Sequence, residues 1–170
     1  MSRWWDAYIG SVRGGERTEK IACAWLIRMG NKDAEVLPKT YAKNQSERMD
    51  HLDHGDIKVT LTMFSGTIKR IMGVKGRSLT FTGRQDFPFP DLIVCSVKSW
   101  DHSNPKPRGF ISINVDETHC AIVWSSTIRA WKKRDFVDGR PNRGETETNY
   151  VCPIHCVQFF NMRESQYEPE

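Results

Sequence analysis

Asp56, Lys75 and Glu19 are the residues whose types and spacing point to chemistry. Metal-assisted hydrolysis of a phosphodiester needs carboxylates that converge on a divalent cation. It also needs a lysine close by to orient or deprotonate the attacking water and to offset charge on the phosphate. Asp56 opens an apolar-alternating run, DIKVTLTMF, and Gly73-Val74-Lys75 closes the next one, TIKRIMGVK. Ser65-Gly66 between them is a hairpin signal. Residues 73 and 75 share a face because strand side chains alternate with period two, and antiparallel pairing returns them beside Asp56.

The elements that must position these groups are an early helix and a set of strands. GGERTEKIACAWLIRMG predicts a helix from about Glu16 to Met29, with Ile21, Trp25 and Met29 repeating every four residues. Gly14 and Gly15 are expected to precede it and Gly30 to stop it. Glu16 and Glu19 then share a face near its N-terminus, where carboxylates also favour the positive end of the helix dipole. AEVLPK (34–39) reads as a strand ending at a proline, and YAKNQSERMDHLDHG as a loop or short helix. DLIVCSVK (91–98), GFISINV (109–115) and HCAIVWSS (119–126) are three more strands, with Asp116-Glu117-Thr118 as the turn between the last two. YVCPIHCVQFF (150–160) supplies a last strand or short helix, and SNPKPR and VDGRPNRGE are loops. One early helix followed by many strands predicts an α/β (α+β) domain with a mixed sheet flanked by helices.

A chain of 170 residues, 38% hydrophobic and 27% charged, suits one globular domain, taken as 1–170 with a flexible acidic tail from 161 to 170. The longest apolar run, Ile21 to Ile27, is far short of a membrane span, and MSRWWDAYIG does not read as a signal peptide. The expectation is therefore a cytoplasmic protein with no membrane partner. Five cysteines, Cys23, Cys95, Cys120, Cys152 and Cys156, are an odd number without framework spacing and are expected reduced.

Net charge is +4 overall but uneven: +1 over residues 1–60, +7 over 61–143 and −4 over 144–170. The middle excess contains Lys69, Arg70, Lys75, Arg77 and Arg84. Such a concentration suits a polyanion, whose phosphates are neutralised with release of counterions, or else a solvated basic face. Lys132 and Lys133 follow Trp131 in W-K-K-R, where the indole is a candidate to stack on a base. Trp100 and Trp124 could stack on bases too, but in a strand-rich domain they are expected in the core.

At this point the chain resembles the PD-(D/E)XK nuclease superfamily, in the small form that phages encode. Glu19 falls in E-x6-L-x3-G, Asp56 in H-G-D-I-K-V, and Lys75 in R-I-M-G-V-K-G, where the family reads R-I-E-V-K-G. GRSLTFTGRQDFPFPDLIVCSVKSWD, KPRGFISIN and YVCPIHCVQFF are similar to the same phage proteins, so the resemblance spans about residues 10 to 160. It implies a restriction-endonuclease-like core acting on DNA. Asp56 and Glu19 would hold Mg²⁺ or Mn²⁺, Lys75 would position water, and Lys69, Arg70, Arg77, Arg84, Lys132 and Lys133 would contact DNA. Gly73 departs from the pattern by standing in the acid's place. Glu16, Glu19, Asp53 and Asp86 are the candidates to replace it. If none does, the domain binds nucleic acid or a host protein without cutting. A homodimer is a further expected partner arrangement.

Three other groupings compete with this site. Pro90-Asp91 with Ser96-Val97-Lys98 spells a similar motif, but on a single strand Asp91 and Lys98 would face opposite sides. Cys152, His155 and Cys156, with His119-Cys120, could hold zinc, although buried structural thiols are the plainer reading. His51 and His54 with Asp53 are candidates to support a cation at Asp56, or are simply solvated.

Overall fold

The computed structural model describes residues 3–39, 55–63, 65–137 and 146–164. Helix α1 spans Arg3–Arg28. It therefore begins well before the expected start and runs through Gly14 and Gly15, which do not bound it. Its C-terminus does fall where Gly30 was expected to stop it. Gly30 adopts φ +94°, and its N–H donates to Ile27 O (3.0 Å) while Asn31 N–H donates to Leu26 O (2.9 Å). This pair of bonds is the Schellman arrangement, which a glycine closes without a Cβ clash.

Strands β1 (Glu35–Val36), β2 (Ile57–Met63) and β3 (Gly66–Gly76) follow. Next come β4 (Asp91–Ser96), helix α2 (Val97–His102), β5 (Gly109–Ile113) and β6 (His119–Trp124). A 3₁₀ turn (Ser125–Ala130), β7 (Lys132–Val137), β8 (Thr146–Pro153), a second 3₁₀ turn (Ile154–Cys156) and β9 (Gln158–Asn161) complete the order. The fold is mixed α+β. Six strands form one sheet in the order β1-β2-β3-β5-β6-β9, and three form another in the order β4-β8-β7. Among the described residues, only β3 and β5 pair in parallel within the large sheet. The segment read as one strand over 91–98 breaks at Ser96, whose hydroxyl accepts from Ser99 N–H and caps α2.

The large sheet buries both faces, which is why its central strands read as near-continuous apolar runs. Ile57, Val59, Met72, Val74, Ile111 and Ile113 pack with Ala22 and Trp25 of α1. On the opposite face Phe110, Ala121 and Val123 pack with Leu92, Val94 and Cys152 of the small sheet. Asn161 belongs to β9, and Met162 is buried and donates its N–H to Thr118 O (2.8 Å). The expected flexible tail from 161 is corrected to that extent, and 165–170 lie outside the described residues. Among the described residues, no helix is long and apolar enough to cross a membrane.

Candidate functional site

The hairpin has the expected register. Ile57 pairs with Met72 and Met63 with Gly66, and Asp56 N–H donates to Met72 O (3.0 Å), which sets Asp56 opposite Gly73. Gly55 before it takes φ +85°, the backbone bend that carries the chain into β2. The Asp56 carboxylate is nearly buried, and its Oδ2 accepts the Val74 N–H at 2.6 Å. That is a short charge-assisted bond that fixes the side chain against β3.

Glu19 comes to the same place from α1. It sits far along the helix rather than in its first turn, so the dipole explanation of its position is withdrawn. Its side chain is only 2% exposed. A residue that sequence reasoning missed joins the two acids: Lys39 Nζ is paired with Glu19 Oε1 and lies 4.0 Å from Asp56 Oδ1. Burial pushes the Glu19 carboxyl up to about 7; the Asp56 charge adds to this, while Lys39 opposes it. Burial also works against the Lys39 ammonium. Its hydrogen bond to Glu19 and the charges of Asp56, Glu19 and Glu16 prevail, and its pKa stands above the ordinary value. Glu19 Oε2 is buried and meets no donor group, and a hydrogen bond between the Glu19 and Asp56 side chains also favours the protonated Glu19 carboxyl. Pro38-Lys39 after a short strand was the only local signal for this lysine, and nothing in the spacing linked it to Glu19.

Lys75 and Asp56 line one pocket on the face of the sheet away from α1. Residues 72, 74 and 76 of β3 face α1, as Met72 and Val74 in that core and the contact between Gly76 and Thr18 show. Alternation turns Gly73 and Lys75 toward the small sheet. There Gly55, Asp56, Gly73, Lys75, Trp100 and Phe110 line a narrow pocket. Asp56 thus borders both Glu19 and Lys75, while β3 lies between those two.

The vacant acid position is filled. A Cβ at Gly73 would stand 2.6 Å from Phe110 Cδ1 and 2.8 Å from Cε1, far inside contact distance. Phe110 is held in turn by Trp100 and Trp131, each with ring centroids 6.2 Å away. Of the proposed replacement acids, Glu16 acts on the Lys39 ammonium through its charge. Asp86 is committed elsewhere, accepting the N–H groups of Thr82 (2.8 Å) and Gly83 (2.8 Å). Asp53, with His51 and His54, lies outside the described residues.

These donors do not fit a Mg²⁺ or Mn²⁺ ion. Both carboxylates already face an ammonium, the third acid's place holds an aromatic ring, and hard cations of this kind take six or more oxygen ligands. Among the described residues no group of three or more His, Cys, Asp or Glu could hold a metal. The same holds for the zinc reading: Cys152 is buried, with burial foremost in pushing its thiol up to about 11, while His155 is exposed. Asp91 pairs with Arg134 (2.9 Å) and Lys98 lies on α2, so the second motif-like doublet is not one strand and not a site.

The expected DNA contacts divide. Lys69 and Arg70 of β3 and Lys132 and Lys133 of β7 are exposed, the last standing 5.7 Å over the Tyr150 ring. Arg84 is exposed but donates to His155 O (3.2 Å). Arg77 is turned inward: its Nε donates to Ser112 Oγ (3.1 Å), its other end reaches Ile93 O of the small sheet, and burial lowers its pKa to about 10. It ties the two sheets together. Trp131 is buried within the aromatic cluster, with Nε1 donating to Thr127 Oγ1 (2.9 Å), which corrects its expected role as a stacking platform. Trp100 is buried as expected.

No family model, curated protein or solved structure matches the chain.

Proposed function

We propose that this chain is a nuclease-like domain that binds DNA without hydrolysing it. The observation that carries the reading is the Phe110 ring in the space where a third carboxylate would have to stand. Hydrolysis through a metal depends on ligand charge, and the two remaining acids share the Lys39 ammonium, which lowers the negative charge they could offer a metal. The exposed cations Lys69, Arg70, Lys132 and Lys133 support a polyanion as partner. They lie on strands of two different sheets, so a DNA segment touching all four would have to span both.

A second reading, a metal-dependent DNA endonuclease of phage type, is favoured by one observation. Residues from α1, the start of the hairpin and β3 come together around Asp56, as such a site requires. One experiment separates the two readings. Supercoiled plasmid is incubated with the protein in Mg²⁺ and in Mn²⁺, and binding to the same DNA is followed by gel shift. The proposal expects a shifted band and no nicking above a protein-free control. Nicking that Asp56→Ala abolishes would overturn it in favour of the enzyme.

A further inference from the structure

We propose that Lys39 is the resident cation of the acidic site, an ammonium tethered by the chain between Glu19 and Asp56, and that a divalent ion can enter only when it is withdrawn. Three observations carry this. The ammonium pairs with Glu19 Oε1 and stands 4.0 Å from Asp56 Oδ1, so one positive charge serves both carboxylates. Glu19 Oε2, nine-tenths buried or more with its residue, meets no donor group, and the hydrogen-bonding contact of the Glu19 carboxyl with Asp56 needs a proton between the two acids, so this pair calls for a positive charge beside it. The third observation is the room made for Lys39. Gly15 lies one turn before Glu19, and a Cβ there would sit 3.3 Å from Lys39 Nζ and 3.7 Å from Glu19 Oε1.

Glycine inside a helix costs roughly 1 kcal/mol relative to alanine. A Cβ at Gly15 would press on the ammonium by a few tenths of an ångström, so the missing side chain eases its approach to the helix. A tethered charge does not have to be captured from solution, so the two acids have a positive neighbour at any metal concentration. Unlike a divalent ion, an ammonium offers no open coordination position for water.

The inference shares with the proposed function the claim that this site lacks a metal, but its test uses Mn²⁺ alone, without DNA. Failure to bind DNA therefore leaves it standing. Wild type, Lys39→Met, Lys39→Met/Asp56→Asn and Gly15→Ala are titrated with Mn²⁺ by calorimetry, and their thermal unfolding is recorded with and without the ion. Wild type is expected to show no saturable binding and no thermal shift. Lys39→Met should bind at least about ten-fold more tightly, because two buried carboxylates then lack a counter-charge, and the double variant should lose that gain. If Lys39→Met is unfolded alone and Mn²⁺ restores its fold, the inference is likewise supported. If Mn²⁺ does not restore it, Gly15→Ala decides: its methyl group crowds Lys39 while raising helix propensity, and a gain in Mn²⁺ affinity over wild type is expected. Wild type binding Mn²⁺ as tightly as Lys39→Met overturns the inference. So does a folded Lys39→Met, or a folded Gly15→Ala in the deciding case, that gains nothing.

Discussion

Replacing Gly73 by alanine tests whether the place of the missing acid is truly closed. Gly73 is not among the described glycines with positive φ, which are Gly30, Gly55 and Gly66. On backbone grounds alone, alanine should therefore stabilise the strand by about 0.4–1 kcal/mol through the unfolded chain. The structure reverses that sign. The new methyl carbon would meet the Phe110 ring at 2.6 and 2.8 Å, whereas carbon atoms rest about 3.5–4.0 Å apart. The ring must then move by roughly 1 Å. Phe110 is only 6% exposed and is wedged against Trp100 and Trp131, so it has little room to give. Overpacking of this kind costs about 1–3 kcal/mol, and the expected net loss is about 1–2 kcal/mol. Phe110→Ala alone should lose about 3–5 kcal/mol. In that background the clash is absent, and Gly73→Ala should become neutral or favourable, a coupling of at least about 1 kcal/mol. Urea unfolding of the four proteins reads this directly, with stability taken from midpoints at constant slope. A neutral or stabilising Gly73→Ala in the wild-type background would refute the reasoning. It would mean that Phe110 does not close the position, and the non-cleaving proposal would lose the observation it stands on.

Glu19 makes stability depend on pH in an unusual direction. Its folded pKa is raised from 4.5 to about 7, chiefly by burial, with Lys39, Asp56 and Glu16 as the charged groups around it. Between those values the folded state holds a proton that the unfolded state has lost. Its contribution is therefore complete below about 4.5 and fades as pH rises through 7, by roughly 3 kcal/mol at most. Glu19→Gln should flatten the fall in urea midpoint between mildly acid and mildly alkaline pH, and an unaltered slope would remove Glu19 as its source. For DNA binding, Lys69→Ala/Arg70→Ala should lower the slope of log affinity against log salt by about 2 if both touch phosphate. An equal slope would take β3 out of the interface. Arg77→Met should lose about 1–3 kcal/mol of stability, because it strips a donor from the buried Ser112 hydroxyl and from Ile93 O. The folded variant should retain DNA affinity in gel shifts, and the reverse pattern would return Arg77 to the DNA contacts.

What was legible in the sequence was whatever local pattern controls. The β2–β3 hairpin, its register and the pairing of Asp56 with the Gly73 neighbourhood follow from period-two alternation around Ser65-Gly66. The mixed α+β class follows from one helix ahead of many strands. The misses are places where a distant contact overrides a local preference. Gly14 and Gly15 read as a helix boundary because glycine is a poor helix former, yet α1 runs through them and Lys39 packs over Gly15. Arg77 read as a surface cation because it sits among Lys69, Arg70 and Arg84. Only the stacking of the small sheet over β3 and β5, which brings Ile93 O within its reach, turns it inward. The loss of Trp131 as a platform has the same origin, since β7 pairs with β8 and closes the aromatic cluster around it.

Gly15 and Gly73 acquire a common meaning from this. Each is a glycine inside a regular element, where the missing side chain would ordinarily be a defect, and each admits a specific group from elsewhere in the chain. Gly15 admits the Lys39 ammonium beside Glu19, and Gly73 admits the Phe110 ring beside Asp56. The two incoming groups work differently. The ammonium supplies charge to two buried carboxylates that would otherwise repel, and the ring removes the space in which a third carboxylate would add to that repulsion. A buried ion pair is by itself weak evidence for stability, because desolvation offsets most of the attraction. The Glu19–Lys39–Asp56 cluster is therefore better explained by what it avoids than by what it adds: without Lys39, two acids forced together by α1 and the hairpin would carry an uncompensated buried charge. A site built this way carries its positive charge within the chain and does not depend on a metal ion from solution. That is the physical reason to expect the protein to hold its fold, and to bind its partner, with divalent cations absent.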